Sequence, residues 1–153
     1  MWADLAEATG CTNASNGSVI DAASSRMTRV WFAKYGPAGW SSKPINLDQS
    51  LNDEFHPRLF QDSYTGSLIL VYCGSGTTMT NDPTPRLSTD VLMKTSEDQG
   101  ENWSKSTKLT TLQTNEAAAG ANNFQYGDYL GITGQNGFYF AAWTEVICPD
   151  LKY

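Results

Sequence analysis

The stretch "SEDQGENW", residues 96–103, constrains the fold of this 153-residue chain more than any other segment. It sets Ser96, Asp98, Gly100 and Trp103 in the pattern S-x-D-x-G-x-x-W. The segments on either side, "STDVLMKTS" (88–96) and "WSKSTKLTT" (103–111), have strand character. The motif is therefore expected to be a hairpin turn. Gly100 accepts positive φ without steric cost. The Asp98 carboxylate suits hydrogen bonds from the turn's own N–H groups, and the Ser96 hydroxyl does the same more weakly. Trp103 opens the next strand and carries a large apolar surface. Every position has a structural task, and none needs a substrate.

The rest of the chain agrees with an all-β reading. No long helical periodicity is present, and the Ala-rich "TNEAAAGANN" (114–123) reads as a loop interrupted by Gly120. "RMTRVWFAKY" (26–35) is rich in β-branched and aromatic residues, and "GSLILVYCG" (66–74) is an unbroken apolar run bounded by glycines. The second is the pattern of a strand buried on both faces. "GDYLGIT" (127–133) and "GFYFAAWTE" (137–145) flank "GQN", a tight hairpin signal ending in Asn136-Gly137. Ser, Thr, Asn, Gln and Gly fill the places that charges would take, since charged residues are only 17% of the chain. These features predict packed antiparallel sheets joined by short turns.

An internal repeat follows on comparison. "GWSSKPINL" (39–47) resembles "NWSKSTKLT" (102–110), and "FHPRLFQDSYTGSLILVY" (55–72) shares its plan with "FQYGDYLGITGQNGFYFAAW" (124–143). The repeat divides one domain, residues 1–153, into a half blade near 18–50, a complete four-stranded blade near 55–111 and a half blade near 124–145.

The motif S-x-D-x-G-x-x-W resembles the Asp box, or BNR repeat, of sialidase-like β-propellers, with Ser96, Asp98, Gly100 and Trp103 all matching. "YGPAGW" (35–40) looks like a degenerate copy that keeps Gly36 and Trp40 and lacks the Asp. The resemblance covers roughly residues 40–145, including "YGDY" and "WTE". It implies a partial propeller of about two four-stranded blades, with the Asp box at the blade periphery and away from the sugar funnel. It also implies a carbohydrate-related activity and a secreted or periplasmic setting.

Sialidases hold the sugar carboxylate with arginines and use a Tyr nucleophile assisted by Glu, together with an Asp acid/base. A phenol nucleophile avoids repulsion with an anionic substrate, and a nearby carboxylate takes its proton. The innermost strands are expected at 56–62 and 127–133, and Arg58, Gln61, Tyr126, Asp128 and Tyr129 are their polar residues. Glu145 ends the adjacent strand. Arg58, Tyr126, Asp128, Tyr129 and Glu145 are the candidate ligand-binding residues. None is assigned as nucleophile or acid, because the chain has "HPRL" and no Phe-Arg-Ile-Pro motif. For Arg58 a structural ion pair or a plain exposed position is the competing reading. For Asp128 it is a backbone hydrogen bond, and for His56 a plain loop position.

Composition narrows the partners. The net charge of -6 and the scattered basic residues argue against nucleic acid and anionic membranes. No apolar run approaches ~20 residues. The N-terminus "MWADLAEATG" lacks the basic and apolar regions of a signal peptide, so either the chain is cytosolic or its true start lies upstream. Cys11, Cys73 and Cys148 are widely spaced and His56 is the one histidine, so no zinc site and no cofactor are expected. One disulfide with a leftover thiol, or three buried thiols, both fit. Asn81 and Asp82 in "TNDPTPR" (80–86) offer too few oxygen ligands for calcium, and a Pro-stiffened turn is the better reading. Trp2, Tyr35 and Tyr64 are aromatics expected at the surface.

Even a four-bladed propeller needs roughly 160 residues at ~40 per blade. Open blade faces are costly. A homo-oligomer that closes the propeller is therefore expected, with a trimer preferred over a dimer; the alternative is a compact β-sandwich-like remnant that packs without closing. Three functional classes follow: a sialidase-like module, hydrolytic only if neighbouring copies complete its site; a non-catalytic glycan-binding or protein-binding scaffold presenting loops 74–87 and 114–125; and a remnant without a ligand of its own.

Overall fold

The apolar run at 66–74 organises the molecule. In the computed structural model, which describes residues 2–6, 27–41, 45–47, 53–75, 88–111, 114–115 and 129–144, it forms strand β7 (Leu68–Ser75). Ile69, Leu70 and Val71 are completely buried and Tyr72 nearly so. Successive side chains of a strand point to opposite faces. Leu68, Leu70 and Tyr72 join one core with Val30, Phe32 and Leu47, against which Leu92 and Trp103 pack. Val71 joins another with Val91 and Leu130, flanked by Cys73, Met93, Leu109, Ile132, Ala141 and Trp143. Each fully buried aliphatic side chain contributes roughly 1.5–3 kcal/mol. β7 therefore needs apolar residues at every position from Leu68 to Tyr72, because both its faces are covered.

All described elements are strands, and the described residues contain no helix. β1 (Trp2–Ala6), β2 (Met27–Phe32) and β5 (Ile45–Asn46) make a three-stranded antiparallel sheet in the order β1-β2-β5. β3 (Tyr35–Gly36) and β4 (Gly39–Trp40) form a small hairpin. The central sheet has five strands in antiparallel pairings: β6 (Glu54–Gln61), β7, β8 (Ser88–Ser96), and then β9 (Thr107–Lys108) and β10 (Thr114–Asn115), which both pair with β8. β11 (Gly131–Gln135) and β12 (Phe138–Ala142) form the last hairpin. The two cores place β2 over one face of the central sheet and the β11–β12 hairpin over the other.

Several local expectations change in the structure. Residues 103–111 do not form a continuous strand; Thr107 and Lys108 pair with β8, and Ser104 N and Leu109 N donate to Thr95 O and Val91 O at 2.8 Å on either side. Side chains replace part of the ladder. Ser104 Oγ accepts from Thr95 N at 3.0 Å, Lys94 Nζ donates to Ser104 O at 3.1 Å, and Thr110 Oγ1 accepts from Val91 N at 3.4 Å. Ser and Thr compete with ladder bonding in this way. Tyr72 and Ser106 hydroxyls, 2.7 Å apart, tie the segment to β7. The segment expected as a loop from 114 begins with β10. The strand expected at 127–133 runs instead from Gly131 to Gln135, with Tyr129 and Leu130 ahead of it. His56 is a strand residue rather than a loop residue, at φ 53.

The turn at 135–138 fits its sequence. Asn136 and Gly137 both have positive φ, 55° and 82°, as a type I′ hairpin requires. Two buried polar atoms, Trp31 Nε1 and Thr89 Oγ1, have no hydrogen-bond partner among the described residues. Cys73 is half-buried, whereas Cys11, Cys148, Asn81 and Asp82 lie outside the described residues.

Candidate functional site

Strand β6 is interrupted where the chain reads His56-Pro57. Phe55 pairs with Cys73 and Arg58 with Val71, so one extra residue is inserted and the strand bulges. Pro57 offers no N–H to a ladder, and proline in a sheet is confined to edges and bulges. Bulges bend a strand and re-aim the following side chain. Here that side chain is Arg58, which is exposed and returns one N–H to Pro57 O at 3.1 Å.

Arg58 forms one wall of a depression of about 350 Å³. The other wall comes from both ends of the last hairpin: Tyr129, Leu130 and Gly131 before and within β11, and Ala142, Trp143 and Thr144 at the end of β12. Leu130 is buried and Trp143 half-buried, both in the core beneath, so the floor is fixed by packing. Tyr129 is 83% exposed. The groove thus combines a guanidinium, a phenol, an indole and a threonine hydroxyl over an apolar floor. That set matches an anionic group carried on a polyol: arginine for the anion, aromatic surface and hydroxyls for the rest. None of the lining residues is Asp or Glu.

Of the residues expected to bind a ligand, the structure brings Arg58 and Tyr129 together. Tyr126, Asp128 and Glu145 lie outside the described residues. Gln61, expected on the same inner strand, is exposed at the end of β6.

The S-x-D-x-G-x-x-W turn is built differently and lies on the other core. Gln99 and Gly100 have φ of 60° and 89°. Ser96 Oγ donates to Asp98 Oδ1 at 2.8 Å and accepts from Gly100 N at 2.8 Å. Asp98 Oδ1 also accepts from Asn102 N at 2.8 Å, and Oδ2 from Asn102 Nδ2 at 2.7 Å. Those Asn102 bonds, then the Ser96 hydroxyl, pull the Asp98 carboxyl down from the ordinary 3.8 to about 2. Trp103 donates its indole N–H to Gly100 O at 3.2 Å and packs edge-on against Phe32 at 5.5 Å. A side chain on Gly100 would meet the Phe32 ring at 2.4 Å, so glycine is needed for space as well as for φ. All of these hydrogen bonds are internal to the turn. The "YGPAGW" turn differs: Trp40 is 70% exposed and contacts Tyr35 edge-on at 5.5 Å. Tyr64 is likewise exposed.

Sequence reasoning overlooked one residue of consequence, Asp62. It is only 1% exposed and sits in the β6–β7 turn. Its Oδ1 accepts from Tyr64 N at 2.9 Å, and its Oδ2 accepts from Gly137 N at 2.7 Å, across 75 residues. The Tyr64 N–H lowers its pKa most; burial opposes this, and the Gly137 and Thr65 donors add to the lowering. The local half of this arrangement was visible in the sequence as an aspartate four residues before Gly66, whose φ is 77°. Among the described residues no cluster of three or more His, Cys, Asp or Glu residues is placed to hold a metal ion. No family model, curated protein or solved structure matches this chain.

Proposed function

We propose that this chain is a sialidase-like BNR-repeat module that binds acidic carbohydrate in the Arg58 groove. The observation that carries the reading is the meeting of Arg58 and Tyr129 across one depression of about 350 Å³. That volume lies in the range of small-molecule sites. The S-x-D-x-G-x-x-W turn, closed on itself and set on the opposite core, supports assigning it a structural role. The central antiparallel sheet, covered on both faces, is compatible with one propeller blade between two partial ones. A homo-oligomer, trimeric rather than dimeric, would complete such a ring.

Within one chain we read the groove as a binding site. Glycoside hydrolysis uses a pair of carboxyl groups, or a tyrosine with a carboxylate to activate it. The groove's described lining contains neither pair, and hydrolysis is proposed only for an oligomer whose neighbouring copies complete the site. The competing reading, a scaffold that binds protein, draws on the exposed Phe138 and Phe140 of the last hairpin.

A glycan array carrying sialosides and neutral glycans, probed with the wild type and Arg58→Ala, tests the proposal. Selective binding of acidic glycans that is lost with Arg58→Ala is expected. No binding to any glycan leaves protein binding as the reading. Release of a fluorophore from a sialoside between pH 4 and 8, lost with Arg58→Ala, would instead establish turnover. Light scattering that finds a stable monomer at micromolar concentration would remove the oligomer from the proposal.

A further inference from the structure

Arg58, Phe60 and Asp62 occupy alternate positions of β6 and its turn, so they share one face. Each meets the last hairpin, and in sequence order. Arg58 shares the groove with Gly131. The Phe60 ring would lie 3.2 Å from a Cβ built on Gly134, and it packs edge-on against Tyr139 at 6.3 Å. Asp62 accepts the Gly137 N–H at 2.7 Å. The seam between β6 and the β11–β12 hairpin therefore has a polar pin at the turn end, a steric fit in the middle and the groove at the far end.

Apolar contact tolerates sliding, whereas a buried carboxylate oxygen that takes one N–H from across the seam does not. Asp62 is the buried partner, at 1% exposure, so its carboxylate depends on the N–H groups that reach it, and a charged acceptor strengthens each bond. The pin is also specific to the ionised side chain. An ionised Asp62 offers acceptors to both Tyr64 N–H and Gly137 N–H. An asparagine keeps one acceptor and presents a donor where the other was. We infer that Asp62 is the positioning residue of the groove: through Gly137 it sets where the hairpin sits along β6, and so how far the Tyr129–Trp143 wall stands from Arg58. Only the ligand-binding consequence rests on the proposed sugar-binding role; the positioning itself does not.

Among the described residues the groups around the pin are few. The β6–β7 turn adds Tyr64, and β12 adds Tyr139. β11 contributes no charged side chain, and β7 adds Tyr72 and Cys73 further along. Arg58 lies on the shared face, while Glu54 and His56 lie at the opposite end of β6.

The test is two-dimensional NMR of the uniformly ¹⁵N-labelled full chain, titrated from pH 6 to pH 2.5. The Gly137 and Tyr64 amide protons should move together with one midpoint below 3.8. The Gly131 and Thr144 amides and the Trp143 indole N–H should follow with that same midpoint. In Asp62→Asn at pH 6, those groove signals should already stand displaced and should lose this titration. A Gly137 amide that does not titrate, or groove signals that stay still while it does, overturns the inference, and the wild type alone decides this.

Methyl α-sialoside added at pH 6 gives the second readout: binding roughly two- to tenfold weaker in Asp62→Asn, the range for one lost hydrogen bond. Equal affinity in the two proteins overturns the positioning role. A wild type that does not bind the sialoside refutes the sugar reading, while the coupled titration still decides the role of Asp62.

Discussion

Two turns of this molecule are closed by an aspartate, and they use it in opposite ways. Asp98 takes its hydrogen bonds from Ser96 and Asn102, within its own turn. Asp62 gives one oxygen to its own turn, through Tyr64, and the other to Gly137 in a different hairpin. The first makes a self-contained clasp whose outward contact is the packing of Trp103 on Phe32. The second makes a joint between two elements. The same side chain therefore serves local geometry in one place and relative placement in the other, and the joint lies on the seam whose far end holds the candidate site. The "YGPAGW" turn supplies a third case: with no carboxylate to close it, its tryptophan remains largely exposed.

The comparison can be broken most severely from outside the clasp. Phe32→Ala removes the ring against which Trp103 rests, at a side chain only 5% exposed. It should cost about 3–5 kcal/mol in urea unfolding, as for other buried Phe truncations. It should leave the Gly137 amide shift unchanged if the two turns are independent. Gly100→Ala should cost less, about 1–3 kcal/mol, because its methyl would enter the Phe32 ring and the residue must also hold a φ of 89°.

Acid unfolding sharpens the contrast further. Both carboxyls have folded pKa values below their ordinary value, so the unfolded chain binds more protons in the acid range and stability rises with pH there. The contribution of Asp98 should be complete above the ordinary 3.8 and should fade as pH drops toward about 2. Asp98→Asn should flatten the dependence of Tm on pH in that window without moving the groove signals. Asp62→Asn should flatten it and move them. Glu101→Ala should do least. Its ion pair with Lys34 is exposed on both sides, and such pairs contribute about 0–1 kcal/mol.

Much of this was legible in the sequence where the signal is local. The two-sided burial of β7 follows from its unbroken apolar run, the hairpin at Asn136-Gly137 from its turn chemistry, and strand β8 from its β-branched pattern. The turn at 96–103 can be read position by position. What the sequence concealed depends on partners far along the chain. Nothing near Asp62 announces Gly137, 75 residues away. The broken strand after Trp103 reflects Ser and Thr side chains competing with the backbone for β8, a contest that a strand-like pattern does not disclose. Arg58 was found as a candidate, but its aim depends on the His56-Pro57 bulge, and a His-Pro pair reads equally well as a loop.

The most direct test of the proposed role follows the groove signals during sugar titration. The Trp143 indole and the Tyr129 and Gly131 amides should shift saturably with methyl α-sialoside and remain unmoved by methyl galactoside, and Arg58→Ala should abolish the response. Groove signals that stay fixed at millimolar sialoside, or that respond equally in Arg58→Ala, would contradict the account.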